Sequence, residues 1–344
     1  PTMKAAVTTQ WNRIEIQDIP QPHAGPGECL IRPKLTGICG SDVHVYLGHH
    51  PTAKAPVVQG HEFVGIVERI GDGPDPGFAV GDRVVVEPLI SCGRCEACRV
   101  GNWHVCRRLN LLGIHANGAF AESVRVACQK VIKVPPGLSD RIAALAEPFA
   151  VGVHVCRRAE IRVGDNVLVI GAGPIGLILG MVAKTAGAAV AFCEVQAERI
   201  EQARGLGFAV IDGNQEPAVA VAAATNGEGY DVVLEASGSQ PGVLLAAEVC
   251  RIRGRIVQVG FFGKRPEADL MKVIFKELTL VGSRVYSLED FRCTLPVLAR
   301  MVEQKTFDID RMICDTCALD GLEASIGRMM RGEARGKILV DLGR

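Results

Sequence analysis

The stretch VLVIGAGPIGLILG, residues 167–180, decides the fold class of this chain. Its apolar start, glycine-rich middle and apolar end predict a buried strand, a tight turn and a buried helix. Gly171 permits the tight turn, Gly173 permits close approach of a pyrophosphate, and Gly176 permits close packing of the helix on the strand. The N–H groups at the start of the helix attract phosphate. The stretch therefore predicts a dinucleotide-binding site.

This stretch contains the first of six β-like runs, which alternate with segments long enough for crossover helices. The six runs are Val167–Ile170, Val190–Phe192, Ala209–Ile211, Val232–Leu234, Ile256–Val259 and Leu278–Val281. Their spacing predicts an α/β fold built on a doubly wound parallel sheet, the Rossmann arrangement.

An acidic residue follows the second of these runs. Glu194 lies where a carboxylate accepts hydrogen bonds from both ribose hydroxyls and repels a 2′-phosphate, so the sequence favours NAD over NADP. Arg199 follows closely, and it leaves open a second interpretation, in which its guanidinium stacks on adenine or binds a phosphate.

The first 135 residues or so have a different character. Short β-like runs separated by Gly and Pro predict an antiparallel or barrel-like β domain, and Ser139 is a candidate helix N-cap. After Ser283 we expect two amphipathic helices and a closing strand. The runs concerned are Cys29–Leu35, Phe63–Ile70, Arg83–Glu87, Leu288–Val302, Leu322–Met330 and Lys337–Val340.

Four cysteines are closely spaced in this first region: Cys92, Cys95, Cys98 and Cys106. Four thiolates satisfy tetrahedral Zn²⁺ with no open position, which predicts a structural zinc site. The spacing differs from that of the bacterial ferredoxin motif, in which the fourth Cys comes three residues after the third and precedes Pro. A nucleic-acid-binding zinc ribbon would need a basic surface.

Charge and cysteine counts limit the possible functions. The 344 residues include 38 basic and 38 acidic side chains, a balance that argues against nucleic-acid or anionic-membrane partners. The length predicts two domains. Thirteen cysteines cannot all pair, so metal-binding or catalytic roles are favoured over a disulfide framework. No basic segment leads into an apolar one near residue 1, and we therefore expect a cytoplasmic protein.

Three dispersed residues have the chemistry of an open zinc site. Cys39, His61 and Glu147 would supply sulfur, nitrogen and oxygen ligands and leave a fourth position for water or substrate. Taken singly, each has an alternative role: a packed thiol, a hydrogen-bonded imidazole, or a carboxylate that caps a helix. Their separation in sequence does not connect them.

Taken together, these motifs closely resemble the zinc-dependent medium-chain dehydrogenase/reductase family over essentially the whole chain. GICGSD at 37–42, GHE at 60–62, the four cysteines and GAGPIG at 171–176 occur in the family's order. EPFAVGVH at 147–154 resembles the polyol (sorbitol-type) branch. The resemblance implies a GroES-like β-barrel catalytic domain, residues 1–152 and 285–344, with a structural zinc lobe at about 88–110. It also implies a Rossmann NAD-binding domain at 153–284.

The resemblance further implies roles for individual residues. Cys39, His61 and Glu147 map onto catalytic zinc ligands, and Glu62 is a neighbour able to exchange into the coordination sphere or contact substrate. Ser41 and His44 map onto a proton relay, and Arg284 onto a residue that binds substrate hydroxyls. The implied coenzyme-binding residues are Gly171, Gly173, Pro174, Ile175, Gly176, Glu194, Arg199, Ser237, Val259, Gly260, Gly282 and Ser283.

The function implied is zinc- and NAD-dependent oxidation of a secondary alcohol on a polyol or sugar-derived substrate to the ketone. The alternatives are a sugar-acid 5-dehydrogenase, an L-threonine 3-dehydrogenase and a non-catalytic nucleotide-binding homologue. Two zinc ions per subunit and a homo-oligomer, a tetramer rather than a dimer, are implied as well. The chain departs from the polyol branch at Val45, where a Tyr is expected, and at Cys314 and Cys317, which we interpret as incidental.

Overall fold

A computed structural model describes residues 1–343 and divides into two compact units. The first comprises Pro1–Glu147, Ser287–Val302 and the described residues from 309 onward; the second comprises Pro148–Tyr286 and Glu303–Asp308.

The secondary-structure elements up to the start of the second unit are mostly short strands. The strands are β1 (Thr2–Gln10), β2 (Arg13–Pro20), β3 (Glu28–Gly37), β4 (Val57–Val58), β5 (Glu62–Ile70), β6 (Arg83–Val86), β7 (Leu89–Ile90), β8 (Asn110–Leu111), β9 (Val124–Ala127) and β10 (Val131–Lys133). The helices are α1 (Gly40–Tyr46), α2 (Glu96–Arg99), α3 (Asp140–Ala143) and α4 (Ala146–Arg158), with short 3-10 turns at Trp103–Val105 and Cys128–Lys130.

Strands and helices then alternate through the second unit. They are β11 (Asn166–Ile170), α5 (Pro174–Thr185), β12 (Ala189–Glu194), α6 (Ala197–Gly205), β13 (Ala209–Asp212), α7 (Pro217–Ala224), β14 (Tyr230–Glu235), α8 (Gln240–Val249), β15 (Cys250–Gln258), α9 (Leu270–Phe275) and β16 (Thr279–Gly282). The remaining elements are α10 (Leu288–Glu303), β17 (Ile313–Ala318), α11 (Leu322–Met330) and β18 (Lys337–Asp341), with 3-10 turns at Ile309–Met312 and Leu319–Gly321.

The first unit is built on a seven-stranded sheet of order β10-β6-β5-β3-β18-β17, with β9 pairing to β3 off this path. Its strand pairs are antiparallel except β17 with β18. A three-stranded sheet, β2-β1-β4, lies beside it, and buried Ala5, Ile38, Phe120 and Ile338 share one core cluster. The expected antiparallel β domain and its closing strand are confirmed.

The second unit contains one parallel sheet of order β13-β12-β11-β14-β15-β16. Each of the six predicted runs falls on one of these strands, with two end residues left outside: β15 ends at Gln258, before Val259, and β16 begins at Thr279, after Leu278. In α5, every residue from Gly176 to Ala183 is buried, as expected of a helix with apolar residues all round. The doubly wound fold is confirmed.

Ser139 caps a helix, but that helix is a single turn. Its Oγ accepts a hydrogen bond from the Ile142 N–H at 3.3 Å, and α3 ends at Ala143. A second helix, α4, begins at Ala146, which places Glu147 in its first turn. Among residues 1–343, no helix has the length and apolar character that crossing a membrane requires.

Candidate active site and metal centres

Three neighbouring strands of the first unit bring the candidate metal ligands together. β3 ends at Gly37, β5 begins at Glu62 and β18 begins at Lys337, and both β5 and β18 pair antiparallel with β3. These ends therefore meet at one edge of the sheet. Cys39 is the second residue after β3, and His61 directly precedes β5.

Cys39, His61 and Glu62 each offer a ligand atom, and the three atoms lie within 4.8 Å of one another. Ser41 Oγ lies 3.4 Å from His61 Nε2. A Cβ on Gly37 would lie 2.6 Å from Glu62 Oε2, so a glycine is required there to leave room for the carboxylate.

His61 is buried in an anionic environment. Burial alone would lower the pKa of His61, but the Asp42 carboxylate, the Cys39 thiol and the Glu147 carboxylate raise it to about 10. Asp42 Oδ1 lies 3.8 Å from His61 Nδ1, which has no hydrogen-bond partner. Such a site favours a bound cation at this imidazole.

Asp42 supports the site and was not predicted from the sequence. It is fully buried, and one carboxylate oxygen accepts the Cys39 N–H at 2.8 Å. Gln59 donates to the Asp42 carbonyl at 2.9 Å and in turn accepts from Thr8 at 2.7 Å. Burial raises the pKa of Asp42, and the charge of His61 opposes this shift.

Lys337 is the second residue that sequence analysis missed. Its Nζ lies 2.5 and 2.6 Å from the two carboxylate oxygens of Glu62, and both side chains are almost completely buried. Burial raises the pKa of Glu62, but the charges of Lys337 and His61 and the hydrogen bonds from Lys337 and Cys39 together lower it. The only available signal was a single charge at the start of an apolar closing strand.

The remaining predicted residues take distinct places. The described residues form two compact groups of possible metal ligands, and Glu147 belongs to neither, although it acts electrostatically on His61 and Lys337. His44 is exposed on α1. Arg284 belongs to the second unit and is exposed.

The donor set at this edge fits a zinc ion. Cys39 and His61 provide sulfur and nitrogen, and the neighbouring carboxylates provide oxygen, which is the mixed set of a catalytic zinc site. His61 Nδ1, buried and without a hydrogen-bond partner, agrees with this assignment.

The second group is the four cysteines. One sulfur from each of Cys92, Cys95, Cys98 and Cys106 lies within 4.8 Å of the others. The backbone N–H groups of Cys92 and Arg108 each donate to Cys106 Sγ at 3.3 Å. Backbone N–H groups also lower the pKa of Cys92 to about 6, which favours the thiolate. Four convergent sulfurs fit a closed tetrahedral zinc site.

The glycine-rich turn of the second unit has the geometry expected of a phosphate-binding turn. Gly171 has φ +96°, which favours glycine, and Pro174 occupies the first turn of α5. A Cβ on Gly176 would lie 2.0 Å from the Gly171 oxygen. A cavity of about 680 Å³ opens here, lined in part by Gly173, Glu194 and Ser237.

Glu194 ends β12 and is tied to this turn. Its carboxylate accepts N–H groups from Ala172 at 2.7 Å, Val195 at 2.7 Å and Gln196 at 2.9 Å. Arg199 Nη1 lies 4.0 Å from Glu194 Oε2. Both residues line the cavity beside the glycine-rich turn.

A further carboxylate, Glu235, organises the turns that follow β14 and β15. It is fully buried and accepts from Ser237 N at 2.9 Å, Gly238 N at 3.1 Å and the Gln258 side chain. Val259, Gly260, Gly282 and Ser283 line or adjoin a second cavity of about 450 Å³ in this unit. Like Glu194, Glu235 is an acidic residue at the end of a strand, and it is followed by the small residues at 236–238, a signal that was available in the sequence.

Comparison with known proteins identifies the family of the chain. Residues 25–136 match the alcohol dehydrogenase GroES-like domain, and residues 174–300 match the zinc-binding dehydrogenase domain. The chain belongs to the zinc-dependent medium-chain dehydrogenase/reductase family. It is an oxidoreductase of the zinc-type alcohol and polyol dehydrogenases, and its cofactors are zinc and a nicotinamide dinucleotide.

Curated members of this family have several substrates. The chain is 38% identical over 312 residues to sorbitol dehydrogenase of Halalkalibacterium halodurans, covering 88% of this chain and 89% of the relative. It is 38% identical to 2-dehydro-3-deoxy-L-galactonate 5-dehydrogenase of Pseudoalteromonas atlantica, covering 79% and 80%. It is 36% identical to L-threonine 3-dehydrogenase of Rhizobium etli, covering 98% of each.

Solved structures of the family have the same fold and differ in coenzyme. A zinc-binding dehydrogenase from Sinorhizobium meliloti bound to NADP has a TM-score of 0.88 at 31% identity, covering 99% of each chain. An alcohol dehydrogenase from E. coli CFT073, complexed with NADH, has a TM-score of 0.90 at 30% identity, also covering 99% of each.

Cys314 and Cys317 take no part in these sites. They lie on strand β17 rather than at the start of a helix, where a redox CxxC motif is typically found.

Proposed function

We propose that the chain oxidises a secondary alcohol of a polyol or sugar-derived substrate to the ketone, with zinc and NAD as cofactors. The observation that supports this most directly is the buried, anionic convergence of Cys39, His61 and carboxylates at one edge of the sheet. A zinc ion held there would supply Lewis-acid chemistry, lowering the pKa of the substrate hydroxyl toward neutrality.

The roles of this chain's own residues follow from their placement. Cys39, His61 and Glu147 are proposed to hold the catalytic zinc, with Glu62 as their neighbour. Ser41, close to His61, is proposed to take the substrate hydroxyl proton and pass it on, and His44, exposed on α1, is proposed to release it to solvent. The first unit is thus proposed as the catalytic domain.

The second unit is proposed to bind NAD through the Gly171–Gly176 turn. Glu194 supports NAD over NADP because a 2′-phosphate would approach its ionised carboxylate. Ser237, Val259, Gly260, Gly282 and Ser283 are proposed to border the nicotinamide half.

Zinc content tests the metal assignments. We expect two zinc ions per chain in the wild-type protein, one lost in Cys39→Ser and the other lost in Cys95→Ser. Cys314→Ser is the matched control, because its exposed thiol lies on β17 outside both groups, and it should keep both ions. Full zinc content in Cys39→Ser would contradict the catalytic assignment.

A substrate panel tests the reaction. Polyols, aldonates and L-threonine are supplied with NAD, and NADH absorbance is followed. We expect polyols to be preferred; aldonates or threonine are the alternatives, since relatives acting on a sugar acid and on threonine have similar identity. An exposed Arg284 supports binding of polyhydroxylated or carboxylated substrates. Reaction with simple primary alcohols alone would contradict the proposal.

We also propose a homo-oligomer, a tetramer rather than a dimer. β16 is an edge strand, and exposed apolar side chains accompany it at Leu280 and along α9 at Leu270, Met271, Ile274 and Phe275. Edges and apolar patches of this kind favour association. Sedimentation equilibrium measures the assembly directly.

A further inference from the structure

We propose that Lys337 is a positioning residue that keeps Glu62 out of the catalytic metal's coordination sphere and so leaves a position open for substrate. This inference rests on the function proposed above, because it concerns the metal held by Cys39 and His61. It adds a residue that neither the family resemblance nor the comparisons assign.

The geometry makes Glu62 a competitor for the metal. Its carboxylate lies in the same compact group as the Cys39 and His61 ligand atoms, within 4.8 Å. Glu147, by contrast, approaches from the first turn of α4 and lies outside that group. Distance alone would therefore favour Glu62 as the third ligand.

Lys337 contacts both carboxylate oxygens of Glu62, so neither oxygen is free to bind the metal. The ammonium lies 2.5 and 2.6 Å from them. Lys337 is on β18 and Glu62 is on β5, and these two strands flank β3 in the sheet. Lys337 is 5% exposed and Glu62 is 1% exposed. Because the buried Glu62 carboxylate is already paired with a cation, its negative charge is compensated without coordinating the zinc.

The charges of the site lead to the same conclusion. The acidic groups around the metal position outnumber the two charges of a divalent ion: they are Cys39, Asp42, Glu62 and Glu147. The Lys337 ammonium adds one more positive charge, placed at Glu62. Without Lys337, Glu62 becomes an uncompensated buried charge, which is strongly unfavourable. The metal is then the nearest cation it can bind.

Cadmium-113 NMR of the cadmium-loaded protein tests this directly, because the four-sulfur and mixed sites give separate resonances. Each added oxygen ligand moves a cadmium resonance upfield. In Lys337→Met we expect the mixed-site resonance to shift upfield and the four-sulfur resonance to stay in place. In Glu62→Gln/Lys337→Met the shift should disappear, and Lys337→Arg should retain the wild-type position.

The control variants separate positioning from a merely structural role. If Lys337→Met moved the mixed-site resonance only by disturbing the packing, adding Glu62→Gln would not restore the resonance. If it moved the resonance by releasing Glu62 onto the metal, adding Glu62→Gln would restore it. Lys337→Gln removes the same charge and carries the same expectation if Lys337→Met does not fold. Unfolding of both single variants in the presence of metal overturns the proposal, since a carboxylate that reached the metal would be compensated by it.

Two failures remain distinguishable. If the wild-type protein shows no mixed-site resonance, the proposed zinc site, and with it the proposed function, is wrong. If that resonance is present and is unchanged in Lys337→Met, only the role of Lys337 is wrong.

Discussion

The buried ion pair between Glu87 and Lys130 should control the stability of the four-cysteine lobe. Glu87 is 2% exposed and Lys130 8% exposed, and the Glu87 N–H also donates to the Lys130 carbonyl at 2.9 Å. The Lys130 ammonium lies 5.9 Å from the ring centroid of Trp103, in the 3-10 turn between Cys98 and Cys106. The pair therefore joins the β-sheet to the lobe.

The perturbation is Lys130→Met, which keeps the length of the side chain and removes its charge. Removing one partner of a buried pair costs about 3–5 kcal/mol of unfolding free energy, and a lost cation–π contact adds about 0.5–1 kcal/mol. We expect a loss of about 3.5–6 kcal/mol at pH 8. Replacing both partners, in Glu87→Leu/Lys130→Met, should cost less than about 1.5 kcal/mol beyond the lost ring contact.

The loss should depend on pH with a definite sign. Burial raises the pKa of Glu87 even beside Lys130, and removing Lys130 raises it further. A carboxyl whose pKa is higher in the folded state destabilises the fold increasingly as pH rises through that pKa. The cost of Lys130→Met should therefore be smaller at pH 5 than at pH 8, by up to about 1.4 kcal/mol per pH unit.

Urea unfolding followed by tryptophan fluorescence is the assay. The chain has two tryptophans, and Trp103 lies on the lobe, so Trp11→Phe serves as the background in which Trp103 alone reports. A cost below about 1 kcal/mol for Lys130→Met, or a double variant as unstable as the single one, would refute the reasoning.

Three further predictions concern other parts of the chain. Burial raises the pKa of Asp140, but Lys34 and Arg83 together lower it, so the ionised carboxylate stabilises the fold and this stabilisation is lost as pH falls through the lowered pKa. Asp140→Asn should therefore lower the melting temperature at pH 7, by an amount that shrinks as the pH is lowered. Gly176→Ala should abolish NADH binding measured by fluorescence. Gly327→Ala on α11, whose Cβ would meet only the end of the Arg331 side chain at 3.3 Å, should preserve it. Glu194→Gln should lower the ratio of the NADPH dissociation constant to the NADH dissociation constant, because the carboxylate that repels a 2′-phosphate is removed. An unchanged ratio would argue against a role of Glu194 in coenzyme selection.

Local sequence patterns determined much of this protein. The turn at 171–176, the spacing of the four cysteines and the six β-like runs each depend on residues close together in the chain, where glycine conformation, thiol spacing and β-propensity act directly. The strand-end position of Glu194 belongs to the same class, because the strand before it was recognisable by its apolar residues.

Only the tertiary structure decided which distant groups share one site. Glu62 and Lys337 are 275 residues apart, and they meet because β5 and β18 both pair with β3, a register that no local pattern specifies. The burial of Asp42 beside His61 arises in the same way. A charged side chain that is buried needs an opposite charge or a hydrogen-bond partner beside it. Strand pairing determines which residues are there to provide that partner.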